Sequence, residues 1–185
     1  MGNEDGDSIS ETPSGVIVRT ATREDIPGIV QVVTSSVLEG EDLGFGGPGS
    51  GSVFGDSGRL STAWQEPNRV RSEEVLVADA GGRIVGCVAV EDRGEALELV
   101  DIDVPREFQR RGIGTRMVRS VEERARREGK RAVTLGTSRS AAGVPWKSFP
   151  WWLSLGYRVT GEEENAWTRA IGPGAREIRM RKDLG

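Results

Sequence analysis

Between residues 74 and 129 the chain changes its apolar period from strand-like to helix-like, and that change fixes most of what it can become. Residues 74–79 and 84–91 are strand-like runs separated by the turn Ala80-Gly81-Gly82-Arg83, and Asp92-Arg93-Gly94 leads into a third run over 96–104. This is an antiparallel meander. Over 112–128 the apolar residues Ile113, Met117, Val118, Val121 and Ala125 instead fall on one helical stripe, with arginines elsewhere and Gly129 as a stop. The strand expected next, at 132–135, follows a crossover helix and so should lie parallel to its predecessor. Short strands at 16–19, 157–160 and 177–181 and helices at 23–38 and 148–155 complete the pattern. The fold class expected is α+β: a mixed, mostly antiparallel sheet of about six to seven strands, flanked by helices and holding one parallel pair.

At 185 residues the chain suits one domain. Residues 1–14 are polar and acidic and are expected to form a disordered tail, leaving 15–185 as a single domain. Within it, residues 40–58 are glycine-rich with two isolated aromatics, Phe45 and Phe54, and are expected to form a loop. That loop is either an idle insertion or a gate over a substrate. A weaker helix is expected over 59–66.

Composition excludes several kinds of chemistry. The chain has no histidine, so it cannot carry a Ser-His-Asp triad, a Cys-His pair or a histidine metal site, and no metal is expected. Its single cysteine, Cys87, lies in an apolar run and reads as an inert core thiol in a reducing, cytoplasmic setting. Lys and Arg total 25 against 29 Asp and Glu, so nothing drives the chain towards nucleic acid or an anionic membrane. No apolar run of about 18 residues exists to span a bilayer.

The most specific stretch runs from Asp103 to Gly114. It is a strand end, a short basic loop, and glycines that open a helix. Small residues let backbone approach a ligand closely, and the first-turn N–H groups with the helix dipole favour an anion. Gln109, Arg110, Arg111, Gly112, Ile113, Gly114 and Thr115 therefore read as a phosphate cradle.

In its context, Gln109-x-x-Gly112-x-Gly114 resembles the acetyl-CoA diphosphate loop of the GNAT acetyltransferase superfamily, and the order of elements over 16–184 is similar too, including Leu155-Gly156-Tyr157. The resemblance implies that the strand before the loop parts from its neighbour and holds the pantetheine arm with free backbone groups, here around Ile102 and Val104. It implies that the Val104 N–H polarises the thioester carbonyl and that an amine attacks directly, so acetyl-CoA is the co-substrate. A small-molecule or peptide amine would be the acceptor, and the edge strands are compatible with a homodimer.

The attacking amine must lose a proton, and Glu98, Asp101 and Asp103 are the carboxylates at hand. Strict alternation would put Glu98 on the face of Val100, Ile102 and Val104, with Asp101 and Asp103 opposite; a bulge would break that parity. Glu98 matches the family's glutamate base by its distance from Val104, and Asp103 is the second catalytic candidate. The family's thiolate-protonating tyrosine is replaced by Trp152, and Tyr157 is expected in the core. Trp146, Phe149, Trp151 and Trp152 either pack the core or line an apolar acceptor pocket, with Trp167 as a further aromatic. A non-catalytic acetyl-CoA-binding module of the same fold remains the alternative to an enzyme.

Overall fold

The computed structural model describes residues 15–42 and 74–185. The tail expected over 1–14, nearly all of the loop expected over 40–58 and the helix expected over 59–66 lie outside the described residues. Among the described residues seven strands form one sheet: β1 (Val16–Thr20), β2 (Val75–Ala80), β3 (Ile84–Asp92), β4 (Ala96–Asp103), β5 (Ala132–Arg139), β6 (Arg158–Glu163) and β7 (Arg176–Asp183). Their order is β1-β2-β3-β4-β5-β7-β6. Only β4 and β5 run parallel, and the helix between them, α1 being Ile26–Asp42 and this one α2 (Ile113–Arg127), makes the crossover that parallel pairing needs. Two short helices follow, α3 (Phe149–Ser154) and α4 (Ala166–Ile171).

Residue period explains which face each element buries. The stripe Ile113, Met117, Val118, Val121 and Ala125 of α2 packs on one side of the sheet, with Leu97, Leu99, Val133, Leu135, Ile178 and Met180. On the other side, Ile26, Ile29, Val32 and Val33 of α1 pack on Val75, Val77, Cys87 and Ala89. Cys87 is buried, and desolvation together with the nearby Asp103 and Asp101 holds its thiol protonated. The same α2 stripe buries one acid, Glu122, which accepts from Lys182 Nζ at 2.9 Å and from the Tyr157 hydroxyl at 3.3 Å.

Several boundaries differ from the sequence reading. β5 runs on to Arg139 because Gly136–Arg139 pair with β7, a partner that local pattern cannot reveal. α1 extends to Asp42, past the point where the glycine-rich composition begins. α4 was not expected at all; its signal is Asn165, whose side chain accepts from the Thr168 N–H at 3.0 Å while Thr168 Oγ1 accepts from the Asn165 N–H.

The start of α1 is tied down by one buried carboxylate. Asp25 reaches back to the Thr22 N–H at 2.7 Å and accepts two bonds from the Arg19 guanidinium, at 2.7 and 2.8 Å. Arg19 bonds in turn to Asp79 on β2 at 2.9 and 3.0 Å. The Arg19 pairing pushes the Asp25 pKa down to about 2, against the opposing effect of burial. A depressed carboxylate stabilises the fold above its unfolded pKa and loses that contribution as pH falls through its folded value. At ~1.4 kcal/mol per pKa unit this depression amounts to about 2.5 kcal/mol, and screening of the one-third-exposed Arg19 brings the expected cost of Asp25→Asn in urea unfolding at neutral pH to about 1–2 kcal/mol. The gap to the parent protein should narrow between about pH 4 and pH 2.

Candidate active site

β4 and β5 pair over four positions only, Ala96↔Ala132 to Leu99↔Leu135. Beyond Leu99, β4 continues against β3 up to Cys87↔Asp103, while β5 continues against β7 from Gly136↔Arg179 onwards. The facing edges of the two strands therefore part and carry no ladder between them.

The loop expected to cradle phosphate sits at this opening. A 3₁₀ turn at Arg106–Phe108 brings the chain round to Gln109. Arg110 adopts φ 60°, the one positive φ at a non-glycine position among the described residues, and Gly112 follows at φ 76° as the N-cap of α2. Such alternation turns successive backbone N–H groups towards a common side, as an anion requires. Gln109 ties the loop to the strand end, its Nε2 donating to the Val104 carbonyl at 2.8 Å. Lys147, from the far bank, donates to Gln109 Oε1 at 3.0 Å. Nothing in the local sequence singles out Lys147; it reaches the loop only because β5 and α3 stand across the opening. Arg111 and Arg83 both lie over the Phe108 ring, at 5.8 and 4.6 Å.

The carboxylates are arranged by a bulge. The β3–β4 register slips between Ala89↔Asp101 and Val90↔Leu99, leaving Val100 as the extra residue. Leu97 and Leu99 pack into the α2-side core, and so do Ile102 and Val104. Even-numbered residues thus face α2 after the bulge, whereas odd-numbered ones do before it. The parity expected from strict alternation is overturned: Glu98 shares its face with Asp101 and Asp103, opposite Ile102 and Val104.

Glu98 is also heavily engaged. Its Oε1 accepts from Arg179 at 2.6 Å and its Oε2 from Arg93 at 2.6 Å. Burial raises its pKa, but the guanidinium groups of Arg179 and Arg93 outweigh this and hold the carboxyl below its usual range. Arg179 also bonds to Glu177 at 3.0 Å, and Asn165 donates to the same Glu177 carboxylate. Neither arginine was visible as a site residue in the sequence, because each arrives from a different strand or turn.

The four aromatics expected near the acceptor divide by depth. Trp152 is only 3% exposed and packs in the core at 5.4 Å from the Tyr157 ring, so it does not line an open pocket. The Trp151 ring packs against Trp152 with centroids 4.4 Å apart and the planes tilted by 48°, and its Nε1 donates to Thr115 at 3.3 Å. A Cβ on Gly114 would lie 3.3 Å from the Trp151 ring, so glycine here lets α3 close on the start of α2. Trp151 and Phe149 are half-buried against the α2-side core, whereas Glu98 and the two aspartates are on the opposite face. Trp146 is half-buried at the end of β5, its N–H donating to the Ser138 carbonyl at 2.8 Å. Tyr157 is buried, and desolvation with Glu122 pushes its phenol well above the usual range, so it cannot supply a proton to a departing thiolate.

Comparison with known proteins agrees with this geometry. The profile of the Acetyltransferase (GNAT) family matches residues 51–143. A curated relative, "Probable N-acetyltransferase 14" of Xenopus tropicalis, is 34% identical over 83 residues, covering 42% of this chain and 37% of the relative. The chain thus matches well under half the length of that protein. Among solved structures, Ard1 from Thermoplasma volcanium superposes with a TM-score of 0.68 at 13% identity, covering 92% of this chain and 99% of that one. The PaiA N-acetyltransferase from Thermoplasma acidophilum, in complex with coenzyme A, gives 0.68 at 15% identity over 91% and 99%. At such identities the structures establish the fold. With the family profile spanning half of the sequence, the parting of β4 and β5 and the Gln109–Gly114 loop belong to a member of the GNAT acetyltransferase family.

Proposed function

We propose that the chain transfers the acetyl group of acetyl-CoA directly to a primary amine of a small molecule or peptide, within a ternary complex. The observation that carries this reading is the end of the β4–β5 ladder at Leu99↔Leu135, which opens onto the loop that starts α2. The residues present suit the co-substrate. Gln109 to Thr115 would hold the diphosphate through backbone N–H groups, with Arg110 and Arg111 adding charge. The free edge of β4 at Ile102 and Val104 would bind the amides of the pantetheine arm as a ladder partner would. When bound, acetyl-CoA supplies the activated acyl group.

In this arrangement the Val104 N–H would polarise the thioester carbonyl and stabilise negative charge on its oxygen. The amine arrives from the face that carries Asp101 and Asp103, and an acceptor with pKa near 10.4 must lose a proton there before it attacks. Glu98, bonded to two guanidinium groups, is a poor acceptor for that proton. Of the two aspartates on that face, Asp103 adjoins Val104 and is the base in this proposal, acting directly or through water. No protein acid is required, since a thiol of pKa about 8.5 departs as the thiolate. A cytoplasmic site of action is part of this proposal, supported by the single, buried thiol of Cys87.

Gly112→Glu places a side chain where φ is 76° and a negative charge in the cradle. Calorimetric acetyl-CoA binding should fall by on the order of a hundredfold or more, about 3 kcal/mol, and unchanged affinity would remove the site from this loop. Asp103→Asn should lower kcat/KM by roughly a hundredfold and flatten its rise with pH. A variant with the parental pH profile would show that another group takes the proton. Tight acetyl-CoA binding with no turnover across a broad amine panel would instead leave the chain a binding module.

A further inference from the structure

The two halves of the sheet, β1–β4 and β5–β7–β6, are joined by a parallel ladder of four residue pairs, whereas β5 and β7 share eight. Parallel pairing is slightly weaker per residue. The width of the opening between β4 and β5 thus depends on what else crosses their junction. On the face opposite α2, a chain of charges does so. Arg179 lies opposite Gly136 in the β5–β7 ladder, and Gly136 is the first β5 residue past the last pair with β4. Its guanidinium passes across β5 to meet Glu98 on β4 at 2.6 Å, spanning two strand spacings, about 9.6 Å. Glu98 lies opposite Thr134, one pair before the strands part.

Gly136 makes room for this arrangement. A Cβ there would fall 1.7 Å from Glu177 Oε1, so the Glu177 carboxylate lies directly over the glycine. From that place it bonds to Arg179 Nη1 at 3.0 Å, and Asn165 at the cap of α4 holds it from behind. On the other side Arg93, from the β3–β4 turn, bonds to Glu98 at 2.6 Å and to Glu91 at 2.7 Å. The side chains of Glu98 and Glu177 are 11% and 14% exposed, so these charge-assisted bonds are partly shielded from water.

We propose that Glu98 is a positioning residue: with Arg93, Arg179 and Glu177 it forms a charged strut across the β4–β5 junction that sets how far the strands part, and so shapes the channel for the pantetheine arm. This rests on the acetyl-transfer reading above. The strut holds Glu98 in place by both oxygens and leaves proton removal to another carboxylate. It acts on the arm of the co-substrate and not on the diphosphate loop, which lies at the far end of β4.

The test uses the full chain and two probes: acetyl-CoA, and its nucleotide half alone, adenosine 3′-phosphate 5′-diphosphate, which has no pantetheine arm. Glu98→Gln and Arg179→Met should each weaken acetyl-CoA binding about fivefold or more, with nucleotide binding held within about twofold, as loss of a partly shielded ion pair implies. Arg179→Lys should recover part of the loss. Gly136→Ala, which alters no charge, should displace Glu177 and reproduce the selective effect. In Glu98→Gln the rise of kcat/KM with pH should keep its parental midpoint. Parental acetyl-CoA affinity in these variants, equal losses for both probes, or loss of the pH-dependent rise in Glu98→Gln would overturn the strut. If the parent protein binds neither probe, it is the acetyl-transfer reading that fails.

Discussion

A backbone N–H or C=O that leaves a sheet ladder must find another partner, and the organisation of this protein follows from where one ladder stops. β4 and β5 pair as far as Leu99↔Leu135 and then follow different neighbours, β3 on one side and β7 on the other. The parting exposes strand edges in the middle of a sheet, where a chain normally has none. A ligand with amides of its own can complete those edges. Beyond the parting, the loop that follows the end of β4 at Asp103 turns through two left-handed residues and opens α2, bringing N–H groups and arginines to the mouth of the same gap.

The two faces of the sheet then take different tasks. The α2 side is a packed apolar core, in which Ile113, Met117 and Val121 fix the start of the helix against Leu97, Leu99 and Leu135. The other side carries charge where the strands part, and the bulge at Val100 is what gathers Glu98, Asp101 and Asp103 there. Partly shielded charges need partners, and Arg179 and Arg93 supply them for Glu98. In the proposed strut, the same two ion pairs make Glu98 a fixed element of the frame.

What could be read from the chain divides along physical lines. The meander, the long helix and the loop at 109–114 depend on local pattern and glycine placement, and the strands and α2 follow that reading within a few residues. The parallel pairing of β5 with β4 followed from crossover geometry alone. The extension of β5 to Arg139 did not, because its partners lie some 40 residues away in β7. Similarly, the parity of Glu98 depended on one extra residue at Val100 that no composition signal marks. Arg179, Arg93 and Lys147 reach the site through tertiary neighbours, so sequence spacing could not assign them. Trp152 shows the opposite limit: an aromatic at a ligand-facing place in the pattern is drawn into the core by Tyr157 and Trp151.

The central claim, that acetyl-CoA completes the open edges of β4 and β5 and rests on the loop before α2, is tested most directly by amide hydrogen exchange with and without acetyl-CoA. Exchange should slow over residues 100–104, 109–115 and 136–139 on binding, with β1 and α1 unchanged. Binding that leaves those three segments exchanging at their free rates, or that protects only other parts of the sheet, would contradict it.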